Sequence, residues 1–347
     1  MKKLLSMLLA LTMVFALAAC GSTEAPQPTA VPEENEEVVP SEAPVAEEKA
    51  DVKVAVLKGP TALGALQLME LAEKGETADN YEFTLAGSPD EILGSIIKGE
   101  FDIAAVPTNV ASVLYNKTEG AVQLLALNTL GVLYCVENGE SVNSVADLKG
   151  KTVYCVGQGA TPEYALKYLL TKNGLDPEKD VTIEFKAEAA EAAALLAEGE
   201  GIAVLPQPFV TAAMAKNENL RIAFDFNEEW EKLGENSAIT MGCVLVQKKF
   251  AEENPEAVER FLQSYEQSVN FTNSEETLAQ AAELAVNYGI IPAAPIAEKA
   301  IPQCSIVFVA GDEMKSIAEQ FLNILYEANP ASVGGKLPEA DFYYNAK

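Results

Sequence analysis

The chain has 347 residues, 49% of them apolar and 22% charged, enough for one large or two modest domains, each with its own core. Asp and Glu number 52 against 24 Lys and Arg, a formal net charge of -28. This disfavours nucleic acid or anionic lipid as the main partner, since both bind through clustered cations. Histidine is absent and arginine occurs only at Arg221 and Arg260. Those two facts exclude His-based acid–base catalysis, Ser-His and Cys-His nucleophiles and His-ligated metals, and leave the bidentate guanidinium clamp for an anion scarce.

Met1–Cys20 opens with Lys2 and Lys3, continues as an apolar run through Ala16 and ends in Leu17-Ala18-Ala19-Cys20 before Gly21. The run is short for a spanning helix and has the shape of an export signal. Its end resembles a bacterial lipobox, in which cleavage leaves Cys20 as the lipid-modified N-terminus. Residues 21–50 hold five prolines, eight glutamates and no aromatic residue. Such a segment cannot bury enough apolar surface to offset its ordering entropy, so it reads as a disordered acidic Pro-rich linker, and the folded body starts near Asp51.

From there short apolar runs alternate with amphipathic ones, which argues for α/β structure with mostly parallel sheets. Val52–Leu57 is a strand, Lys58-Gly59-Pro60-Thr61 a turn, and Ala62–Glu73 a helix. Tyr81–Ala86 is a strand; Ser88-Pro89-Asp90-Glu91 opens a helix with a capping serine and early acids. Asp102–Val106 is a strand that runs through Pro107-Thr108-Asn109 into a helix. Val122–Ala126 is a strand leading to Asn128-Thr129, and Val132–Val136 is extended.

A second series repeats the pattern. Thr152–Val156 is a strand, followed by Gln158-Gly159-Ala160-Thr161 and a helix to Lys172. Val181–Phe185 and Ile202–Leu205 are strands, the latter ending in Pro206-Gln207-Pro208. After the extended Ile239–Val246 the chain is expected to be mostly helical. The fold class is therefore α/β, with two Rossmann-like lobes. Ligands of open α/β sheets lie beyond the carboxyl ends of the strands, so facing lobes would enclose a cleft lined by these turns.

The segments LKGPTALGALQLMELAE, GSPDEILGSIIKGEFDIAAVPTN and SVADLKGKTVYCVGQGATPEYALKYLLTKNGLDPEKDVTIEF resemble the solute-binding lipoproteins of ABC importers. Within these they are most similar to the type II periplasmic-binding-protein group that handles sulfonates, nitrate, taurine and thiamine-pyrimidine precursors. The resemblance implies a split first lobe, residues 51–136 plus 244–347, and a second lobe, residues 137–243. It implies a two-segment hinge at Leu133–Val136 and Met241–Val244. It also implies lobe closure over a ligand and delivery to an ABC permease, by a monomer held to the membrane through its N-terminal lipid.

The ligand-contacting set expected from the turns and crossings is Lys58, Gly59, Pro60, Thr61, Thr108, Asn109, Asn128, Thr129, Gln158, Gly159, Ala160, Thr161, Gln207, Met241 and Gly242. Small polar side chains and close-approaching backbone suit a closed cleft. Tyr115, Tyr154, Tyr164 and Phe209 could stack on a flat ligand, with core packing the plainer use of each. Arg221 opens a strand and Arg260 sits mid-helix, so neither is placed for the cleft. The solute is accordingly read as neutral or weakly anionic, with heteroaromatics and small sulfonates among the candidates. No cofactor or metal site follows from the sequence. Cys135, Cys155, Cys243 and Cys304 lie in strand-like, apolar contexts and read as buried thiols. Two alternatives stand beside transport: a sensor or accessory lipoprotein, and an enzyme on the same fold. The thiamine-pyrimidine synthases that share the fold use histidine and a cysteine-rich motif, and the chain has neither.

Overall fold

A computed structural model describes residues 49–199, 201–234 and 237–345. The leader, Cys20 and the linker to Glu48 lie outside the described residues. In chain order the elements are β1 (Asp51–Leu57), α1 (Pro60–Leu63), α2 (Leu66–Lys74), β2 (Asn80–Ala86), α3 (Asp90–Ile97), β3 (Ile103–Pro107), α4 (Thr108–Lys117), β4 (Val122–Leu130) and β5 (Leu133–Asn138). There follow β6 (Thr152–Val156), α5 (Thr161–Lys172), β7 (Thr182–Lys186), α6 (Ala189–Glu198), β8 (Gly201–Pro206), α7 (Phe209–Lys216), β9 (Leu220–Asp225) and α8 (Phe226–Lys232). The last are β10 (Thr240–Gln247), α9 (Lys248–Glu253), α10 (Pro255–Asn273), α11 (Leu278–Asn287), α12 (Ala294–Ala300), β11 (Ile306–Ala310) and α13 (Gly311–Ala328).

The strands form two sheets. One has the order β11-β4-β10-β3-β1-β2 and the other β7-β6-β8-β5-β9. Both are mixed rather than mostly parallel. β1 pairs parallel with β2 and β3, and β6 with β7 and β8. β10 runs antiparallel to β3 and β4, and β5 antiparallel to β8 and β9. The reason is connectivity: β5 and β10 are the first strands after the chain changes sheet, and each enters from the opposite end to a strand returned by a βαβ crossover.

The chain leaves the first sheet between Leu130 and Leu133 and returns before Thr240. Leu133–Val136 and Met241–Val244, expected as the crossings, lie inside β5 and β10. The expected helix Ala62–Glu73 is broken at Gly64 and Ala65. A side chain at Gly64 would stand 2.8 Å from the Tyr265 hydroxyl of α10, so the break lets that helix pack closely. The region after β10 is not all helical, because IVFVA forms β11 against β4.

The largest apolar cluster draws on both sheets: Leu57, Val106 and Phe321 join Leu133, Cys155 and Leu166 within it. Trp230 of α8 stands at the second crossing, 4.8 Å from the Tyr168 ring of α5 and 5.9 Å from the Phe321 ring of α13. Separate clusters fill the outer face of each sheet. Among the described residues no helix is long and apolar enough to cross a membrane.

Candidate functional site

Parallel strands end together. The last residues of β1 and β3 (Leu57, Pro107) and of β6 and β8 (Val156, Pro206) all line one cavity of about 290 Å³ between the sheets. This is the position at which open α/β sheets bind ligands. Met241, Phe209 and Ile290 add apolar wall, and Lys58 and Glu188 are its charged lining residues. A second cavity of about 510 Å³ adjoins it, sharing Pro89, Gly157, Ala160 and Ala187.

The structure divides the expected ligand-contacting residues into three groups. Lys58, Pro60, Thr61, Ala160 and Met241 line the central cavity. Gly59, at φ 128°, brings its backbone under the Phe209 ring; a Cβ there would lie 3.6 Å from Cε2. The Thr61 hydroxyl donates to the Leu57 carbonyl at 2.9 Å. Gln158 and Gly159 are exposed and line the adjoining cavity instead.

The second group supports the walls. Asn128 is buried and donates to the Tyr265 hydroxyl at 3.1 Å and the Thr61 carbonyl at 3.4 Å. Thr129 donates to the Asn128 Oδ1 at 3.1 Å. A Cβ on Gly242 would fall 2.5 Å from both Asn128 Oδ1 and Thr61 Cγ2, so β4, α1 and β10 meet there only because residue 242 has no side chain.

The third group joins the lobes. Asn109, fully buried, donates to the Gly159 carbonyl at 3.1 Å and the Ser332 carbonyl at 3.0 Å, and its Oδ1 accepts from the Thr161 hydroxyl at 3.2 Å. Thr108, the residue before it, is buried at the start of α4. Gln207 donates to Gln303 Oε1 at 3.1 Å and accepts from the Thr211 amide and hydroxyl. It lines a separate cavity of about 650 Å³.

Sequence reasoning passed over Val156, Glu188 and Ile290. Val156 ends a parallel strand, and the strand-end rule applied to it would have found it. Ile290 follows α11, and nothing local marks it. Of the aromatics, Phe209 lines the cavity, whereas Tyr115 is buried against Phe342 and donates to Asp341.

Both arginines are spent elsewhere. Arg221 pairs with the buried Glu137 at 2.7 Å, at the end of β8 opposite Pro206. Arg260 pairs with the fully buried Asp79 at 2.8 Å, just before β2. Cys135, Cys155, Cys243 and Cys304 are free and buried. Burial pushes the thiols up, Cys155 to about 12, so they stay protonated and unreactive at neutral pH.

Residues 119–276 match the family model described as NMT1/THI5 like. No curated protein matches the sequence. A crystal structure of an ABC transporter from Parabacteroides distasonis is 26% identical, covers 85% of this chain and 99% of its own, and superposes with a TM-score of 0.69. The periplasmic aliphatic sulphonate binding protein SsuA from Escherichia coli is 17% identical, with coverage of 86% and 94% and a TM-score of 0.67. The periplasmic nitrate-binding protein NrtA from Synechocystis PCC 6803 is 12% identical, with coverage of 82% and 84% and a TM-score of 0.61. The chain thus has the two-sheet periplasmic-binding-protein fold and carries an NMT1/THI5-like region over residues 119–276.

Proposed function

We propose that the protein is the extracytoplasmic substrate-binding component of an ABC importer, and that it captures a small organic solute in the cavity between its sheets. The observation that carries this is convergence: four parallel strands, two from each sheet, end on one cavity of about 290 Å³. That volume suits a compact solute, and the mostly apolar lining with few polar groups is the usual make-up of a small-molecule site. The protein acts by binding and presenting its solute, without chemistry. The leader pattern supports export and anchoring through Cys20, with residues 21–50 as the tether and an ABC permease as the receiving partner. The solute is neutral or at most weakly anionic, because both arginines are committed to buried carboxylates outside the cavity. Phe209 offers a face to a flat heterocycle.

Thermal unfolding of the purified chain against heterocycles, sulfonates, nitrate and amino acids tests the reading. A true solute at one hundred times its dissociation constant stabilises the fold by about 2.7 kcal/mol. Stabilisation by one chemical class is the expected outcome. A cooperatively unfolding protein whose midpoint no class moves would contradict the proposal.

A further inference from the structure

The charges on the central cavity are segregated. Gly87 and Gly289 both line it. A Cβ placed on Gly289 would stand 3.9 Å from the Lys58 Nζ, whereas one placed on Gly87 would stand 3.3 Å from Glu188 Oε1 and 3.1 Å from Glu91 Oε1. The ammonium is therefore at the Gly289 wall and the two carboxylates are at the Gly87 wall. Lys58 is exposed, and among the described residues its side chain forms no ion pair or hydrogen bond, with Glu188 or with any other group.

The Gly289 wall is shared. Ala190, Phe209, Gly289 and Ile290 also line a further cavity of about 420 Å³, built from α6 and α7 of the second sheet and from the end of α11 with the residues after it. Its buried lining is apolar: Ala193, Ala212, Ala213 and Ile291. The alanines of α6 and α7 leave open the volume that longer side chains would fill. The exposed Lys216 is its one titratable lining residue, so no carboxylate lines it, in a chain of net charge -28. The 510 Å³ cavity that meets the central one at Pro89 differs, with Asp90, Lys117 and Lys186 on its lining.

We propose that the solute is an amphipathic monocarboxylate, with its carboxylate on Lys58 in the central cavity and its aliphatic arm past Phe209 in the apolar cavity. This rests on the central cavity being the solute site. An unpaired ammonium gains a charge-assisted hydrogen bond from a single carboxylate, and one lysine without a guanidinium fork suits a single weak anion. Glu91 and Glu188 repel the same head from the Gly87 wall, which sets the direction in which the arm leaves. Each methylene that passes Phe209 takes apolar surface out of water.

The test uses three probes: octanoate, 1-octanol with the same arm and no charge, and butanoate with the same head and a short arm. Dissociation constants are measured by calorimetry on wild type, Lys58→Met and Val286→Trp; Val286 lines the apolar cavity alone. Pro292→Trp, at an exposed position on the same lining, replaces Val286→Trp if that variant does not fold. Wild type is expected to prefer octanoate to octanol by at least about fivefold and octanoate to butanoate by at least about tenfold. Lys58→Met is expected to abolish the first preference and keep the second, and the tryptophan variant to do the reverse. A merely structural role for either residue would weaken all three probes together and leave both ratios unchanged. A wild type with neither preference, or folded variants that move neither ratio, overturns the proposal. The central cavity stands in that case if another solute stabilises the wild type and loses affinity in Ala190→Trp, and falls with the proposal if that affinity is kept.

Discussion

The two arginines show how buried charge is used in this chain. Burial alone would raise the Asp79 carboxyl; the Arg260 guanidinium and the Ala50 amide outweigh it and hold the pKa below the usual carboxylate value. At Glu137 burial is likewise outweighed, by Ser141, the Val142 amide and Arg221. A carboxyl lowered in the folded state adds stability that is complete above its unfolded value, near 4, and lost as pH falls through the folded value. Arg260→Met strands a buried carboxylate and is expected to cost about 3–5 kcal/mol at pH 7. The cost shrinks as pH falls and the buried Asp79, no longer held down by Arg260, is protonated in the variant, which urea unfolding at pH 7 and pH 4 would show. An equal cost at both values would remove the charge explanation. The arginines' absence from the cavity was legible in the sequence, because one opens a strand and the other sits mid-helix. Their carboxylate partners were not, since each lies more than eighty residues away along the chain.

At the scale of elements, α4 is the piece through which distant segments meet. Its first turn holds Asn109 against the Gly159 turn of the second sheet and against Ser332. One and two turns later Ser112 and Asn116 donate to the Val333 carbonyl, and Asn116 also to Lys336. Asn109→Ala leaves the Thr161 hydroxyl and two carbonyls without their partner and is expected to cost about 1–3 kcal/mol. Amide exchange should quicken at the start of α5 and around Ser332 together. Quickening at one site alone would show that Asn109 does not couple them. The strand–turn–helix repeats were readable from period and punctuation, as β1, β6 and α5 show. The 330–344 segment was not, because it has no periodicity of its own and is placed by contacts to α4 and β4. The same holds for β11, whose five residues gain their pairing only from Leu127 and its neighbours.

For the whole molecule, the two-sheet α/β plan followed from the repeated α/β series, while the position of the cavity depended on where the strands end in space. Several polar residues picked out for ligand contact also hydrogen-bond within the protein: Asn109 and Thr161 link segments of the two sheets, and Asn128 and Thr129 brace the wall behind Thr61. Small polar residues after strands serve both purposes. The cavity is walled by strand-end apolar residues and Phe209, with Lys58, Thr61 and Glu188 also on its lining. The most direct test fills it from a position that tolerates bulk. Ala190 is exposed yet lines the wall. Calorimetry with whichever solute stabilises the wild-type chain, repeated on Ala190→Trp, should show affinity lost by at least about a hundredfold, or about 2.7 kcal/mol, with the unfolding midpoint of the free protein unchanged. Wild-type affinity in a folded Ala190→Trp protein would place the solute elsewhere and contradict the account.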